Sequence, residues 1–256
     1  MKKITLKLAA FAGTIVLGAL SSYGAVVAAD DYQSYSSLSY GDNGGFGLGS
    51  LQYSEGSGGG VYLETGGAAI SGGKSMGIYS SSGGQAAYRA LNTSMAYGEY
   101  DVSARFNLDN SVAFSGFNIK TGAGASFGAN ELLSFGLTPG SGNNSIFVGG
   151  SVNQTISLGS EIRGSVINFQ LFFDATNGTY TLGAKFDGAG SYTTVSGNLK
   201  SSGVNAADLG FANFNNGTNQ NIIVDNISVV PEPSSIAMLL GSSGVLLLSL
   251  RRRSRI

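Results

Sequence analysis

The sequence predicts an all-β protein, built as a single sandwich of two antiparallel sheets. Apolar and polar residues alternate with period two in several segments, as they do in strands that bury one face. Turn-forming Gly, Ser and Asn residues separate these segments, and glycine accounts for 41 of the 256 residues. No long window before Ile236 has helical periodicity. About twelve to fourteen strands at this spacing are typical of a β-sandwich or jelly roll.

The strongest strand predictions are four alternating segments and a final strand before the C-terminal tail. In the third segment, Ile167, Phe169, Leu171 and Phe173 should face the core. Gly178 can adopt positive φ, so a short hairpin loop should join the third and fourth segments. A further strand is expected between glycines and Pro139, over 131–137. The four segments and the final strand are 99–107, 113–120, 166–174, 179–187 and 221–230.

The N-terminus has the features of an export signal. Lys2, Lys3 and Lys7 precede an apolar stretch, and small residues follow it. This pattern predicts a secretory signal peptide over residues 1–29, cut by a signal peptidase after Ala29. The next segment, 30–60, is rich in Ser, Gly and Tyr and is predicted to be a partly ordered lead.

The C-terminus carries a hydrophobic segment and then a basic cluster. Residues 236–250 contain no charged side chain and would span roughly 23 Å as a helix, short of the hydrocarbon core of about 30 Å. We therefore predict a transient membrane helix over about 234–250. Because basic flanks stay on the cytoplasmic side, the chain before residue 231 should lie outside the inner membrane. The basic cluster is Arg251, Arg252, Arg253 and Arg255.

The tripeptide Pro231-Glu232-Pro233 lies immediately before this segment. Together, the tripeptide, the apolar span and the arginines resemble the bacterial PEP-CTERM sorting signal. The resemblance implies that an exosortase in the inner membrane recognises residues 231–256 and cuts near the tripeptide. It also implies a Gram-negative, exopolysaccharide-producing bacterium, with the protein passing to the cell surface or extracellular matrix. It covers a tenth of the chain and says nothing about the exported domain, predicted over 61–230.

Charge and composition exclude several classes of function. Seven of the fourteen basic residues lie in the two terminal signals, whereas all fifteen acidic residues lie between Asp30 and Glu232. Residues 30–232 thus carry a net charge of −8, and we expect no nucleic-acid partner. The chain has no Cys, His or Trp. A disulfide framework, the usual zinc sites and a Ser-His-Asp triad are therefore excluded.

Three short segments of the predicted sandwich resemble the concanavalin-like jelly rolls often carried by PEP-CTERM proteins. They are the Ala-Tyr-Arg-Ala-Leu sequence at 87–91, the hairpin at Asn177-Gly178, and the closing Val-Asp-Asn-Ile sequence at 224–227. Such domains are frequently carbohydrate-binding or adhesive, which is an analogy at the level of the fold.

One pair of acids is a candidate catalytic site. Glu99 and Asp101 lie two residues apart and should project from one face of a strand, partly resembling the acid pair of laminarinase-type jelly-roll glycosidases. Retaining hydrolysis needs two carboxylates about 5–5.5 Å apart. Where that family has its second essential acid, the facing positions hold Ser103 and Arg105. We therefore predict no catalytic residue, and expect a solvated strand face with an ion pair to Arg105.

Two turn sequences could offer oxygen atoms to a calcium ion, Asp42-Asn43-Gly44 and Asp109-Asn110. No EF-hand spacing is present, and ordinary surface turns explain both sequences equally well. We therefore predict no cofactor and no metal site, with calcium left open.

Three functional hypotheses follow. The first is an exported structural or adhesive protein, with a non-catalytic sandwich associated with exopolysaccharide. The second is a specific, lectin-like glycan-binding module, which predicts Tyr or Asn side chains lining a groove on a concave sheet. The third is a glycoside hydrolase, which predicts two acids converging in a cleft, one with a raised pKa.

Overall fold

The computed structural model describes residues 25–53, 59–80, 84–108, 113–122, 127–138, 144–215 and 220–231. These residues form fifteen strands, and none of them lies in a helix. The strands are β1 Ala28–Asp30, β2 Gln52–Tyr53, β3 Gly59–Glu64, β4 Ser75–Ser80, β5 Gln85–Met95, β6 Tyr97–Asn107, β7 Ser115–Lys120, β8 Glu131–Leu137, β9 Ser145–Gly149, β10 Asn153–Ser157, β11 Val166–Asp174, β12 Thr179–Phe186, β13 Thr193–Asn198, β14 Ala206–Asn213 and β15 Asn221–Val230.

The strands form two antiparallel sheets that pack face to face, which confirms the predicted sandwich. The eight-stranded sheet has the order β13-β12-β11-β6-β15-β4-β3, and β1 also pairs with β15. The seven-stranded sheet has the order β10-β9-β8-β7-β14-β5-β2. The strands predicted at 131–137, 166–174 and 221–230 have the predicted bounds. Those predicted at 99–107, 113–120 and 179–187 differ by one or two residues at an end.

The core lies between the sheets and is centred on aromatic rings. On β11, the side chains of Ile167, Phe169, Leu171 and Phe173 are buried, as the alternation predicted. Phe169 packs 5.6 Å from Phe117 of the opposite sheet, measured between ring centroids. Edge-on and tilted ring contacts of this kind add to the free energy gained from burying apolar area. The position of every second side chain on β11 is therefore set by this core.

The hairpin between β11 and β12 closes as predicted. Gly178 has a φ of +70°, and a Cβ atom there would lie 2.7 Å from the Cβ of Ser202, so a larger residue does not fit. The carboxylate of Asp174 accepts hydrogen bonds from the backbone N–H (2.9 Å) and side-chain amide (2.6 Å) of Asn177. These bonds lower the pKa of Asp174 and hold the turn in one geometry.

The segment between Ala28 and Tyr53 belongs to the sandwich, earlier than the boundary predicted at residue 61. Ala28 is buried and lies opposite Val229 in the sheet. Tyr32 and Tyr35 are also buried, with their ring centroids 5.8 Å apart. Two tyrosines of this segment are thus core residues, whereas Tyr40 is exposed.

A buried ion pair attaches this segment to β5. The guanidinium of Arg89 pairs with Asp30, and both side chains are almost fully buried. Arg89 also donates hydrogen bonds to the backbone carbonyls of Gly49 (3.0 Å) and Gly44 (2.6 Å), and the hydroxyl of Tyr35 donates to Asp30 (2.7 Å). The pair is therefore well satisfied, as a buried charge requires.

A bulge in β15 shapes the outer face of the eight-stranded sheet. The register with β6 shifts between Asp225 and Ser228, and Asn226 has a φ of +53°. The buried carboxylate of Asp225 accepts hydrogen bonds from the backbone N–H (3.0 Å) and hydroxyl (2.8 Å) of Ser71 and from the hydroxyl of Ser75 (3.1 Å). These bonds hold the loop before β4 against the bulge and leave Asn226 exposed on the outer face.

Candidate cleft on the eight-stranded sheet

A cleft of about 380 Å³ lies on the outer face of the eight-stranded sheet. Its floor is made by β6, β11 and the bulge of β15, and its sides are the loops before β4 and after β12. The lining is rich in amide, carboxylate and hydroxyl groups. The lining residues are Ile70, Ser71, Asp101, Val102, Ser103, Asn168, Phe169, Gln170, Asp187, Tyr192 and Asn226.

The floor of the cleft is a row of hydrogen-bonded side chains. Ser103 and Asn168 face each other in the register of β6 and β11. The hydroxyl of Ser103 donates to the amide oxygen of Asn168 (2.8 Å), and the amide nitrogen of Asn168 donates to the carboxylate of Asp187 (3.1 Å). On the other side, the amide nitrogen of Asn226 lies 3.4 Å from the hydroxyl of Ser103. The row fixes the rotamers of these side chains before any ligand arrives.

The predicted acid pair borders this floor. The amide of Gln170 donates to Glu99 (2.5 Å) across β6 and β11. Burial is the main cause that raises the pKa of the Asp101 carboxyl to about 6, and the charge of Glu99 adds to it, although a hydrogen bond from Gln170 opposes the shift. Asp101 is therefore partly buried rather than on a fully solvated face.

The ion pair predicted for Arg105 does not form. Its guanidinium donates instead to the backbone carbonyls of Ala68 (2.6 Å) and Gly67 (3.4 Å). The prediction was wrong because Arg105 lies nearer the loop before β4, whose carbonyl groups need donors.

Tyr192 forms one wall of the cleft. The ammonium group of Lys185 lies 4.5 Å from the centroid of the Tyr192 ring. Beneath the side chain is Gly183, where an added Cβ would come within about 3.0 Å of Tyr192. Burial, followed by the charges of Asp101 and Glu99, raises the pKa of the Tyr192 hydroxyl, so this group stays a neutral donor. An aromatic ring therefore stands beside the polar floor.

The cleft has part of what the hydrolase hypothesis predicts, which is two acids in one cleft, one of them with a raised pKa. Asp101 and Asp187 both line it, and Asp101 has a raised pKa. However, Ser103 occupies the strand position of the second essential acid, and its hydroxyl is hydrogen-bonded to Asn168. The arrangement is thus better suited to hydrogen bonding a polar ligand than to a two-carboxylate mechanism.

The predicted processing residues lie at the two ends of the described part. Ala29 is the middle residue of β1, lies opposite Ser228 and exchanges two backbone hydrogen bonds with Phe46 (2.8 and 2.7 Å). Pro231 follows β15 directly. The remainder of the sorting signal, including the predicted helix over 234–250, lies outside the described residues: Glu232, Pro233, Arg251, Arg252, Arg253 and Arg255. Among the described residues, no helix could cross a membrane.

The turns considered for calcium have other roles where they are described. The carboxylate of Asp42 accepts a hydrogen bond from the backbone N–H of Ser39 (2.5 Å), and the carbonyl of Gly44 binds Arg89. Asp109 and Asn110 lie outside the described residues. In the described part of the chain, no three acidic side chains come together in a group that could hold a metal ion.

No family model and no curated protein matches the sequence. Among solved structures, the globular domain of T. cruzi calreticulin is similar, with 13% identity over 84% of this chain and 91% of that chain and a TM-score of 0.52. The shared fold is a jelly roll. The lectin UEA-II complexed with galactose (9% identity, 78% and 99% of the two chains) and a carbohydrate esterase of bacteriophage phi24B (14%, 72% and 90%) each have a TM-score of 0.48. At 13% identity, the similarity to the calreticulin domain shows the fold alone.

Sequence reasoning missed most of the cleft. Glu99 and Asp101 were singled out, but Asn168 and Gln170 were not, although they alternate with the buried residues of β11 and so had to face outward. Asp187 was predicted only as the last residue of a strand, and nothing in the pattern pointed to Tyr192. The outward polar positions of strands that pair with an acid-bearing strand are the signal that could have found the floor.

Proposed function

We propose that this is an exported surface protein whose jelly-roll domain binds polysaccharide without cleaving it, through the cleft on the eight-stranded sheet. The observation that carries the proposal is the row of hydrogen-bonded Ser103, Asn168 and Asp187 side chains beside the ring of Tyr192. A few convergent polar groups next to an aromatic wall are typical of small-molecule binding sites.

The chemistry of the lining matches a sugar unit. Hydroxyl groups of a pyranose both donate and accept, and the lining offers carboxylate acceptors at Asp101 and Asp187 and amide groups at Asn168 and Gln170. The apolar face of a sugar ring can pack on Tyr192. Because the floor is already ordered by its own hydrogen bonds, binding would require little loss of side-chain freedom.

The end of the sandwich supports the proposed sorting. β15 ends at Val230 and Pro231 follows at once, so cleavage near Pro231-Glu232-Pro233 would leave β15 whole. The resemblance to the PEP-CTERM signal supports passage through the inner membrane to the cell surface or matrix, with signal peptidase and exosortase as partners in export.

Binding is tested with laminarihexaose, a neutral glucose hexasaccharide, by isothermal titration calorimetry. Asn168→Ala and Tyr192→Ala should each weaken binding at the cleft by about tenfold or more, because each removes a floor or wall group. Asn153→Ala and Tyr97→Ala, at exposed positions away from the cleft, are matched controls and should bind as the wild type does. Equal binding by all four variants would overturn the cleft assignment, and release of reducing sugar would favour the hydrolase hypothesis.

Sorting is tested by the intact mass and location of the native protein. The wild type should lose its C-terminal segment and leave the inner membrane. A variant with alanines at Pro231, Glu232 and Pro233 should keep the segment and stay membrane-bound. Retention of the tail by the wild type would mean a permanent anchor instead.

A further inference from the structure

The outward side chains of β11 continue past the cleft to an exposed aromatic ring. Because core-facing residues alternate with outward ones on this strand, Asn168, Gln170 and Phe172 project from the same face of the eight-stranded sheet. Asn168 and Gln170 line the cleft, and Phe172 does not. Successive outward positions on a strand are about 6–7 Å apart, which is comparable with the size of one sugar ring. Phe172 therefore lies one such step beyond the cleft.

Phe172 lines a second cavity, which we call the distal pocket. Its volume is about 510 Å³, which is within the range of ordinary small-molecule sites. In the register of the sheet, Phe172 lies opposite Thr181 of β12, and Thr181 lies opposite Ser196 of β13. All three residues line the pocket. The distal pocket thus extends from β11 across β12 to β13, the last strand of the sheet.

The ring of Phe172 is exposed within this pocket. Its side chain is 38% exposed, whereas the four core-facing residues of β11 are at most 4% exposed. A single exposed apolar residue is common on protein surfaces and does not by itself indicate a site. Two features of its surroundings do indicate one: a pair of hydroxyl groups beside the ring, and a second aromatic ring on the cleft side.

The pair of hydroxyl groups belongs to Thr181 and Ser196. Their oxygen atoms are 2.7 Å apart and share one hydrogen bond, in which either oxygen could be the donor. Whichever hydroxyl accepts this bond keeps its own O–H group for another acceptor. Because Ser196 is exposed, the pair can both donate and accept hydrogen bonds at the surface. These are the hydrogen bonds that a sugar hydroxyl makes.

The second ring is that of Tyr192, the wall of the cleft. A Cβ atom added at Gly183 would lie 3.0 Å from the Cβ of Tyr192, so Tyr192 packs directly over Gly183. Gly183 lies opposite Gln170, just as Thr181 lies opposite Phe172. Tyr192 and Phe172 therefore belong to neighbouring rows of the outer face. One ring borders the cleft, and the other borders the distal pocket.

The lining of the distal pocket favours an uncharged ligand, because it contains no lysine or arginine. Its acidic residue is Asp174, whose carboxylate oxygens accept hydrogen bonds from Asn177 in the hairpin. Glu99 lies opposite Phe172 in the sheet and accepts a hydrogen bond from Gln170. These two carboxylates repel an anionic ligand, and no basic side chain of the lining offsets them.

We infer that the cleft and the distal pocket are two subsites for one neutral, linear glycan chain, which lies along β11 with one sugar unit on Tyr192 and a later unit on the ring of Phe172. The glycan class rests on the proposed function, whereas the second subsite rests on Phe172 and its surroundings. Only a chain long enough to reach Phe172 occupies both subsites. The protein would therefore bind long chains more tightly than short fragments.

The test compares laminaribiose with laminarihexaose, a short and a long form of the same neutral glucan, by isothermal titration calorimetry. Phe172→Ala should weaken the binding of laminarihexaose by roughly three- to tenfold, the size expected for the loss of one aromatic contact. It should leave the affinity for laminaribiose unchanged, because a disaccharide occupies the cleft alone. The comparison is made between variants, because a hexasaccharide can also bind the cleft in more than one register.

Four further variants serve as controls. Phe172→Tyr keeps an aromatic face and should bind laminarihexaose nearly as the wild type does, whereas Phe172→Leu loses that face and should behave as Phe172→Ala does. Tyr97→Ala removes a ring that is 43% exposed and lines neither subsite, so both affinities should be kept. Asn168→Ala acts in the cleft and should weaken the binding of both oligosaccharides equally. Thermal unfolding of each variant checks that the fold is kept.

The outcomes separate this inference from the proposed function. Equal affinity of Phe172→Ala and the wild type for laminarihexaose would overturn the second subsite and leave the cleft standing. Weaker binding of both oligosaccharides by Phe172→Ala would also overturn it, because the ring would then support the cleft rather than contact the chain. Weaker binding of laminarihexaose by Phe172→Ala but not by Asn168→Ala would overturn the cleft and leave the distal pocket as the site. No binding by the wild type would overturn both.

Discussion

The two outer faces of the sandwich differ in how their polar side chains are paired. On the eight-stranded sheet, buried residues of β11 alternate with partly buried or exposed ones, and the polar groups of the cleft form hydrogen bonds with one another. On the seven-stranded sheet, all six residues of β7 are buried. There, Asp208 and Asn118 have acceptors without partners.

This difference shows that residues packed over the outer side of a sheet change which side chains of a strand are buried. Aromatic residues cover the outer side of β7. The ring centroids of Phe114 and Phe127 lie 5.2 Å apart, and a Cβ atom added at Gly116 would lie 3.0 Å from the Phe114 ring. A sheet covered on both sides loses the polar and apolar alternation of an open sheet. The open face suits a preformed site, whereas the covered face holds unpaired acceptors away from water.

The largest effect is expected from breaking the attachment of the first strands to β5. Arg89→Ala should lower the free energy of unfolding by about 3–5 kcal/mol, because it leaves Asp30 as an unpaired buried charge. Urea denaturation measures the change. Arg163→Ala, which removes the more exposed ion pair with Glu161, is the control and should change the free energy of unfolding little. Similar losses in both variants would mean that the buried pair does not hold the segment.

The second effect sharpens the contrast between the covered and open faces. Burial raises the pKa of Asp208 to about 6, against an ordinary value of 3.8. A raised folded-state pKa means that the carboxylate lowers stability as pH rises from about 4 to about 6. Asp208→Asn removes this penalty and should stabilise the protein at pH 7 by up to roughly 3 kcal/mol.

Thermal and urea unfolding at several pH values test this prediction. The advantage of Asp208→Asn over the wild type should be absent near pH 4 and should grow towards pH 7. A variant that is equally or less stable than the wild type at pH 7 would contradict the account of Asp208 as a destabilising buried charge.

A third effect tests the packing over Gly210. Gly210→Ala should destabilise the protein by about 1–3 kcal/mol, because the added methyl group meets the amide of Asn118. Gly190→Ala, where an added Cβ has no neighbour within 4 Å, is the matched control and should change the midpoint of thermal unfolding little. Equal midpoints for the two variants would show that Asn118 is free to move aside.

The smallest effect concerns the open face. Since the pKa of Asp101 is raised to about 6, its carboxylate becomes protonated as pH falls from about 7 to about 5. A charged acceptor binds hydroxyl donors more strongly than a neutral one, so affinity for laminarihexaose at the cleft should fall about fivefold over this range. Asp101→Asn should remove the pH dependence. A wild-type affinity that does not change with pH would place the ligand away from Asp101.

Sequence patterns were sufficient for the regular part of the fold. The strict alternation of β11 and the Asn-Gly turn after it defined a strand and a hairpin that the structure reproduces. The pattern gave only partial order between Ala28 and Tyr53, where strands are short and tyrosines are spaced irregularly. Tyr35 contacts the pair of Asp30 with Arg89, two residues that lie 59 positions apart in the chain.

The sequence by itself determined the all-β class and the main strands, because each rests on local periodicity or on short contiguous motifs. The export signals at the two ends are predictions from motifs of the same kind. Only the tertiary structure decided which polar groups became partners. Asn168 meets Ser103 through strand register, and Asp208 loses hydrogen-bonding partners because other parts of the chain cover its face. Strand register and burial by other segments both depend on contacts between residues far apart in the chain, so no local sequence pattern encodes them.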